Sequence, residues 1–409
     1  MAVTDEHSAQ SLLAELEAKG RIRSRAAARA FAAVSRHTFV PTASPAEAYS
    51  DRTVRLADGS SASQPSLVAD MLELLELEPG MSVLEIGAGC GYFLALVKHL
   101  VGLGTVAGIE IDAALAAQSR RALARSGAEV WVRQGDGVAG WSALAPFDRI
   151  VVSAATNAIP REWLDQLSPA GRLLVPVEFG IAQKLVLLES KAADLRVVQA
   201  RDATFVPIGG AAGANAARVE LGRLGDVRAR VRGELGAEGE LEAALERLVD
   251  VRRVAVSLSA WEFSRSFRFW LSAQEPTLVS VAARGDAVAH LGLPDLLGRC
   301  ASATIVSRSP FAEAIGVWRP PDRLALLGWR RGYEQTPPED PAPLAVFSTA
   351  AAGADARRLA ALALAWSATG RNEEIDLRVV SRGTGGPLVV PAGDAAELAL
   401  TVKGGQRAR

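Results

Sequence analysis

The ten residues Val83–Tyr92, VLEIGAGCGY, restrict what this chain can fold into more than any other stretch. An apolar run enters a bend with glycine at 87, 89 and 91 and leaves it in a pattern that predicts a helix. A strand feeding a glycine bend into a helix turns backbone N–H groups and the positive end of the helix dipole toward an anionic group. The spacing is not the G-x-G-x-x-G with which dinucleotide-binding turns approach a pyrophosphate. A purely structural glycine turn is the alternative at this point.

Three acids at strand ends favour a ligand. Glu85 precedes the bend, where a carboxylate can position an ammonium while the N–H groups meet a carboxylate, as the amino acid end of S-adenosylmethionine requires. Glu110 closes the next apolar run, GTVAGIEID, about 20 residues on, where an acid accepts hydrogen bonds from ribose hydroxyls. Asp136 closes a third run, RQGDGVAG, placed for an adenine amino group, with Gly137 allowing close approach. Taken singly, Glu110 reads as a solvated strand-end charge and Asp136 as an Asp-Gly turn.

These runs belong to a longer alternation. From about residue 80 to 180, MSVLEIGA, GTVAGIEID, AEVWVRQGD, FDRIVVSAA and GRLLVPV are separated by helix-length segments, which predicts a mostly parallel sheet covered on both faces. Ahead of it, Pro65 stands at the first turn of a helix with Val68, Met71, Leu72 and Leu75 on one stripe, so Ser63 and Gln64 fall at its entrance. KLVLLES and TFVPIG read as two further strands. Beyond about residue 212 the alternation stops. Val254, Val256 and Leu258 alternate, as do Ile375, Leu377 and Val379, while Leu359, Leu362, Ala363 and Trp366 recur at helical spacing, which predicts an α+β second domain.

Composition removes several function classes. A net charge of -1 gives no wholesale attraction to nucleic acid or acidic membranes. The acidic start MAVTDEHSAQ lacks the pattern of a signal peptide, and no apolar stretch reaches spanning length. Cys90 and Cys300 are the 2 cysteines, far apart, and the 4 histidines have no ligand spacing, so neither a disulfide scaffold nor a metal site is expected. The expected setting is the cytoplasm, with no membrane or nucleic-acid partner. Cys90 reads as a small filler of the bend.

AFAAVSRHTFVP, AYSDRTVRL, SASQPSLVADMLELLELEPGMSVLEIGAGCGY, QGDGVAG, FDRIVVSAATNAIP, QLSPAGRLLVPV and FVPIGG occur in the order found in the protein-L-isoaspartate O-methyltransferases, and the first half of the chain resembles that family. Family members usually carry proline where Ser35 stands and a bulkier residue at Ser66. The resemblance implies a doubly wound, Rossmann-like S-adenosylmethionine-dependent methyltransferase domain over residues 1–212, followed by an accessory α+β domain over 213–409. It implies esterification of an isoaspartyl or aspartyl carboxylate in a protein or peptide. Ser63 is the family-implied active-site residue, with a simple helix cap as its other reading. Ser61 and Ala62 join Glu85, Gly87, Gly89, Gly91, Glu110, Asp136 and Gly137 as cofactor residues. Gln64, Val206 and Ile208 would contact the peptide, although Val206 and Ile208 read equally as core.

A carboxylate attacking a sulfonium methyl needs no general base, so positioning carries the catalysis. The methyl ester can cyclise to a succinimide, which serves repair of damaged proteins and also deliberate tailoring of a ribosomally made precursor peptide. The extension after 212 resembles those of lanthipeptide and lasso-peptide tailoring relatives. Trp261, Phe263, Phe267, Phe269 and Trp270, interleaved with Arg265 and Arg268, could grip a leader peptide or form the second domain's core. A binding protein that keeps the cofactor without turnover is the third possibility.

Overall fold

The structure is a computed structural model that describes residues 8–56, 60–179, 182–191, 194–209, 217–220, 227–231, 235–237, 239–248, 250–259, 262–275, 277–284, 311–329, 341–368, 374–381, 389–392 and 396–403. Contacts divide the chain into two compact units. One is Met1–Val177 with Lys184–Gly213 and Val390–Glu397; the other is Glu178–Gln183 with Ala214–Val389 and Leu398–Arg409. The expected boundary near residue 212 lies outside the described residues.

The first unit begins with helices α1 (Ala9–Ala18), α2 (Arg25–Ala33) and α3 (Pro45–Ala48), a short antiparallel pair β1 (Val54–Arg55) and β2 (Ser61–Ala62), and helix α4 (Pro65–Leu75). Serines start these early helices: Ser24 accepts the Ala27 N–H, and Ser8 and Ser44 form capping boxes. Helix α4 starts on Pro65, whose missing N–H costs nothing at that position, and Val68, Met71, Leu72 and Leu75 are all buried.

The expected strands follow as β3 (Val83–Ile86), β4 (Val106–Glu110), β5 (Trp131–Gln134), β6 (Phe147–Val152) and β7 (Leu167–Phe179), with β8 (Ala182–Lys191) and β9 (Asp194–Asp202) completing a seven-stranded sheet. Helices α5 (Tyr92–Val101), α6 (Ala113–Arg125) and α7 (Arg161–Asp165) lie between them. The sheet order is β5-β4-β3-β6-β7-β8-β9, with parallel pairing from β5 through β7 and an antiparallel β8–β9 pair. Every residue of β3 and β4 is buried. Successive side chains point to opposite faces, so both faces of the sheet are covered, as in doubly wound folds. From β3 the chain moves outward through β4 to β5 and then crosses back to β6. The carboxyl ends of β3 and β6 therefore flank the point where strand order reverses, which is where this architecture opens a crevice.

TFVPIG is not a strand. It makes one isolated parallel bridge, Pro207 with Ala155, through the Val206 carbonyl and the Ile208 N–H.

The second unit contains a seven-stranded sheet ordered β10-β11-β13-β14-β15-β16-β12. Its elements are β10 (Ala217–Glu220), β11 (Val227–Val231), α8 (Glu240–Glu246), β12 (Asp250–Leu258), α9 (Arg268–Gln274), β13 (Leu278–Arg284), β14 (Phe311–Arg319), β15 (Arg323–Trp329), β16 (Ala342–Ser348) and α10 (Gly353–Ala368). In β12, Val254, Val256 and Leu258 are buried while Arg253 and Ala255 are exposed, the period-two pattern of a half-buried edge strand. Phe263, Phe267 and Trp270 join the core, and Phe267 meets Trp366 of α10 edge to face at 5.5 Å. The side chains of Arg265 and Phe269, and Trp261 altogether, lie outside the described residues. A further sheet is ordered β17 (Glu374–Ser381), β19 (Ala396–Lys403), β18 (Val389–Ala392).

Close packing at the third strand end yields a test. A Cβ at Gly137 would stand 2.4 Å from Cγ2 of buried Ile86, whereas one at Gly135 would meet nothing within 4 Å. Urea unfolding is expected to show Gly137→Ala destabilising by about 1–3 kcal/mol, with Gly135→Ala neutral or slightly stabilising.

Candidate active site

The bend after β3 takes its shape from three left-handed glycines, Gly87 (φ +83°), Gly89 (φ +53°) and Gly91 (φ +89°). An L side chain pays steric energy at such angles. Little at Gly89 crowds a Cβ, the nearest atom being the Gly87 carbonyl oxygen at 4.0 Å, so the conformation alone demands glycine there. Gly91 also packs tightly, since a Cβ would stand 2.5 Å from Ser119 Oγ on α6.

Most of the bend's N–H groups are used inside the protein. Gly87 and Ala88 donate to the Ile109 carbonyl at 2.8 and 3.0 Å, and Gly91 donates to Ala88 at 2.9 Å. Gly89 donates to Glu110 Oε2 at 2.8 Å, and the other oxygen of Glu110 accepts the Asp112 N–H at 3.1 Å. Glu110 is thus fixed by two backbone donors, while each of its oxygens keeps a lone pair for a further donor such as a hydroxyl. The expectation that this bend offers a row of free N–H groups to a carboxylate is therefore narrowed.

Glu85 is 2% exposed at the end of β3. Its Oε1 accepts the Ser153 hydroxyl at 2.6 Å, from just beyond β6, and its Oε2 is buried with no partner among the described residues. Burial pushes this carboxyl well above the ordinary carboxylate range; the Ser153 bond opposes that and the nearby Glu110 charge adds to it. An orphaned buried carboxylate oxygen is what an ammonium donor would satisfy. The residues present therefore fit an amino acid end of a ligand.

Asp136 is exposed, and its Oδ1 accepts the Val138 N–H at 3.0 Å, the Asp-Gly turn that was its plainer reading. The small size of Gly137 serves its approach to Ile86, so protein packing by itself explains the glycine. Cys90 is buried and burial raises its thiol pKa, the setting of an inert filler.

The Ser63 turn differs from the helix-cap reading. The N-cap of α4 is Gln64, without a side-chain cap bond. The orphan donor is instead met from a distance: Asp51 Oδ1 accepts the Ser66 N–H at 2.8 Å, and Asp51 Oδ2 pairs with Lys19 at 2.9 Å. Burial pushes the Asp51 carboxyl up, and the Lys19 and Ser66 bonds more than reverse this, leaving it below the ordinary value. Relieved of capping, the Ser63 hydroxyl has no hydrogen-bond partner among the described residues, while the Ser63 carbonyl accepts from Arg36 Nη2 at 3.0 Å. Ser63 and Gln64 are half-buried, Ser61 is exposed and Ala62 is buried within the β1–β2 pair.

In the late segment, the Val206 carbonyl accepts the Ala155 N–H at 2.7 Å and Ile208 donates to the Ala155 carbonyl at 2.8 Å. Val206 is 52% exposed and Ile208 only 8%. The two expected peptide contacts thus separate, Val206 turned to solvent and Ile208 into the core. The strand ends of β3, β4 and β6 gather Glu85, the glycines, Glu110 and Ser153. Arg36, Asp51 and Ser153 were not singled out from sequence; no local pattern marks them, because each acts on a residue at least 15 positions away. Among the described residues no cluster of His, Cys, Asp or Glu is arranged to hold a metal ion.

Residues 7–213 match the family model described as protein-L-isoaspartate(D-aspartate) O-methyltransferase. A protein-L-isoaspartate O-methyltransferase of Methylorubrum populi is 42% identical over 209 residues, spanning 50% of this chain and 96% of that protein. Protein-L-isoaspartate O-methyltransferase 2 of Archaeoglobus fulgidus is 37% identical, spanning 48% of this chain and 91% of that one. Among solved structures, a chain from Plasmodium falciparum described as a protein-L-isoaspartate O-methyltransferase and crystallised with S-adenosyl-L-homocysteine aligns at TM-score 0.45 and 21% identity, over 49% of this chain and 98% of that one.

The buried Glu85 predicts a pH signature of the ligand-free protein. Its folded-state pKa is raised, so the stability contributed by its protonated form is whole below the ordinary carboxylate pKa and is lost as pH rises through the raised one. Thermal melts should show Glu85→Gln more stable than the wild type at neutral pH, by about 2–6 °C, with the gain shrinking as pH falls to the ordinary carboxylate range. A gain independent of pH would contradict the assignment.

Proposed function

The chain belongs to the protein-L-isoaspartate O-methyltransferase family, and from that premise we propose that its first unit esterifies the free carboxylate of an L-isoaspartyl residue in proteins or peptides. The family is S-adenosylmethionine-dependent. When bound, the cofactor supplies a methyl group on a sulfonium, a leaving group that needs no activation. In this chain, Glu85 through its orphaned Oε2 would hold the cofactor's ammonium, and Glu110, with both oxygens anchored to backbone N–H groups, would accept its ribose hydroxyls. Gly87, Gly89 and Gly91 shape the bend that would receive it, and Asp136, Gly137, Ser61 and Ala62 would complete its binding site.

The accepting carboxylate is already an anion at neutral pH, so no side chain has to remove a proton from it. The protein's task is to exclude water and hold the oxygen in line with the methyl carbon. Ser63 does this by donating its hydroxyl to the carboxylate, with Gln64 and Val206 beside the peptide. The observation that carries the reading is the division of labour at α4: Asp51 caps the helix, so the Ser63 hydroxyl is left for a substrate. The ester product can then lose methanol as the next backbone nitrogen attacks its carbonyl, giving a succinimide.

We further propose that residues 1–212 form the catalytic domain and 213–409 an accessory domain for substrate recognition. The second unit has a hydrophobic core of its own, as a separate recognition domain requires; the second reading gives that domain the task of selecting one precursor peptide for tailoring at an Asp side chain.

A labelled-methyl assay separates these readings. Transfer to unrelated isoaspartyl peptides supports the first, transfer to a single aspartyl precursor the second, and transfer to neither refutes both. Ser63→Ala is expected to lower kcat/KM by about 10–100-fold. In calorimetry, Glu85→Gln, the more stable protein, should bind S-adenosylhomocysteine about 10-fold or more weakly, as loss of a charge-assisted hydrogen bond requires.

A further inference from the structure

Arg36 is the largest polar side chain that is wholly buried in the first unit, at 0% exposure, and no carboxylate forms an ion pair with it among the described residues. Its partners are backbone carbonyls. Nη1 donates to Ala48 at 2.6 Å and reaches Ser50 at 3.5 Å, and Nη2 donates to Arg52 at 3.2 Å and Ser63 at 3.0 Å, while Nε has no partner among the described residues. Its guanidinium also lies over the Tyr92 ring, 5.9 Å from the centroid, and Tyr92 directly follows Gly91 of the bend. A cation taken out of water without a direct ion pair is costly, and burial lowers the Arg36 pKa although the charge of Asp51 partly opposes it. A neutral side chain of similar length would fill the space without that cost, so its retention calls for a role that needs a rigid fork of donors.

We propose that Arg36 is a positioning residue for the methyl transfer, its buried guanidinium fixing the Ser63–Gln64 turn relative to the glycine bend. A trans peptide keeps its C=O and N–H antiparallel, so one bond to the Ser63 carbonyl orients the whole 63–64 peptide unit. The bonds to Ala48 and Arg52 anchor the same guanidinium to the loop that carries Asp51, which caps α4. Contact with Tyr92 ties it to the helix that leaves the bend. The acceptor side and the donor side of the reaction thereby share one rigid tether. This inference rests on the proposed role of Ser63 at the accepting carboxylate.

The test compares Arg36→Met and Arg36→Lys in the full chain, using a synthetic isoaspartyl peptide and S-adenosylhomocysteine as probes. For Arg36→Met, kcat should fall about 100-fold, the loss that a misplacement of about 1 Å can cause, while KM for the peptide and affinity for S-adenosylhomocysteine change less than about threefold. Arg36→Lys, which keeps the charge but not the fork, should recover part of kcat. Amide hydrogen exchange in residues 61–68 should quicken about tenfold in Arg36→Met, with residues 83–86 unchanged. Should Arg36→Met fail to fold, Arg36→Lys is read by the same measurements against the wild type. Unchanged exchange at 61–68, or a loss seen only in KM, overturns the proposal. A wild-type chain that methylates no isoaspartyl peptide sinks the activity reading instead, and exchange at the turn still decides whether Arg36 holds it.

Discussion

A carboxylate buried at the end of a central parallel strand governs how the first unit is arranged. Glu85 sits where β3 delivers the chain to the point of strand-order reversal, and only one of its oxygens has a partner among the described residues. Such a group costs stability in the free protein. Its surroundings limit that cost by placing Ser153 beside it, yet leave the second oxygen unmatched. The bend beyond it is built to match, with left-handed glycines that keep side chains out of the space and a second acid, Glu110, already held by backbone donors. On the proposed reading, a fold that keeps an unsatisfied carboxylate at this place trades stability for binding.

Much of this could be read before the structure. The glycine bend, the strand ends at Glu85 and Glu110 and the start of α4 at Pro65 are local patterns, and local patterns survive into the fold. The Ser63 cap did not survive, because a helix end can be capped from elsewhere in the chain and Asp51 does so across 15 residues. TFVPIG has strand composition, yet its backbone makes one bridge among the described residues, a long-range pairing that composition does not encode. Arg36 was invisible for a different reason. An arginine in an amphipathic stretch ordinarily snorkels to water, and only the folded arrangement of four carbonyls around it turns it inward.

In the second unit the alternation in β12 and the helical spacing in α10 were legible, and the aromatic cluster proved to be core where it is described. Its buried charges were not. Glu275 and Asp355, 1% and 4% exposed, are held by Arg358, by Arg323 and by Arg319, which reaches both. Arginine pairs of this kind demand particular geometry, and removing one member strands another in the interior. They join β14, β15, α10 and the end of α9 through charged contacts in the second unit.

Pro207 has a consequence for selectivity. The lone bridge uses up the inward groups of its neighbours, and the imide nitrogen gives an arriving main chain nothing to accept from. A guest chain lying along this margin cannot lock into a repeating ladder there. If the proposed peptide site lies along this margin, discrimination falls on the altered residue and its immediate side-chain neighbours rather than on the surrounding backbone.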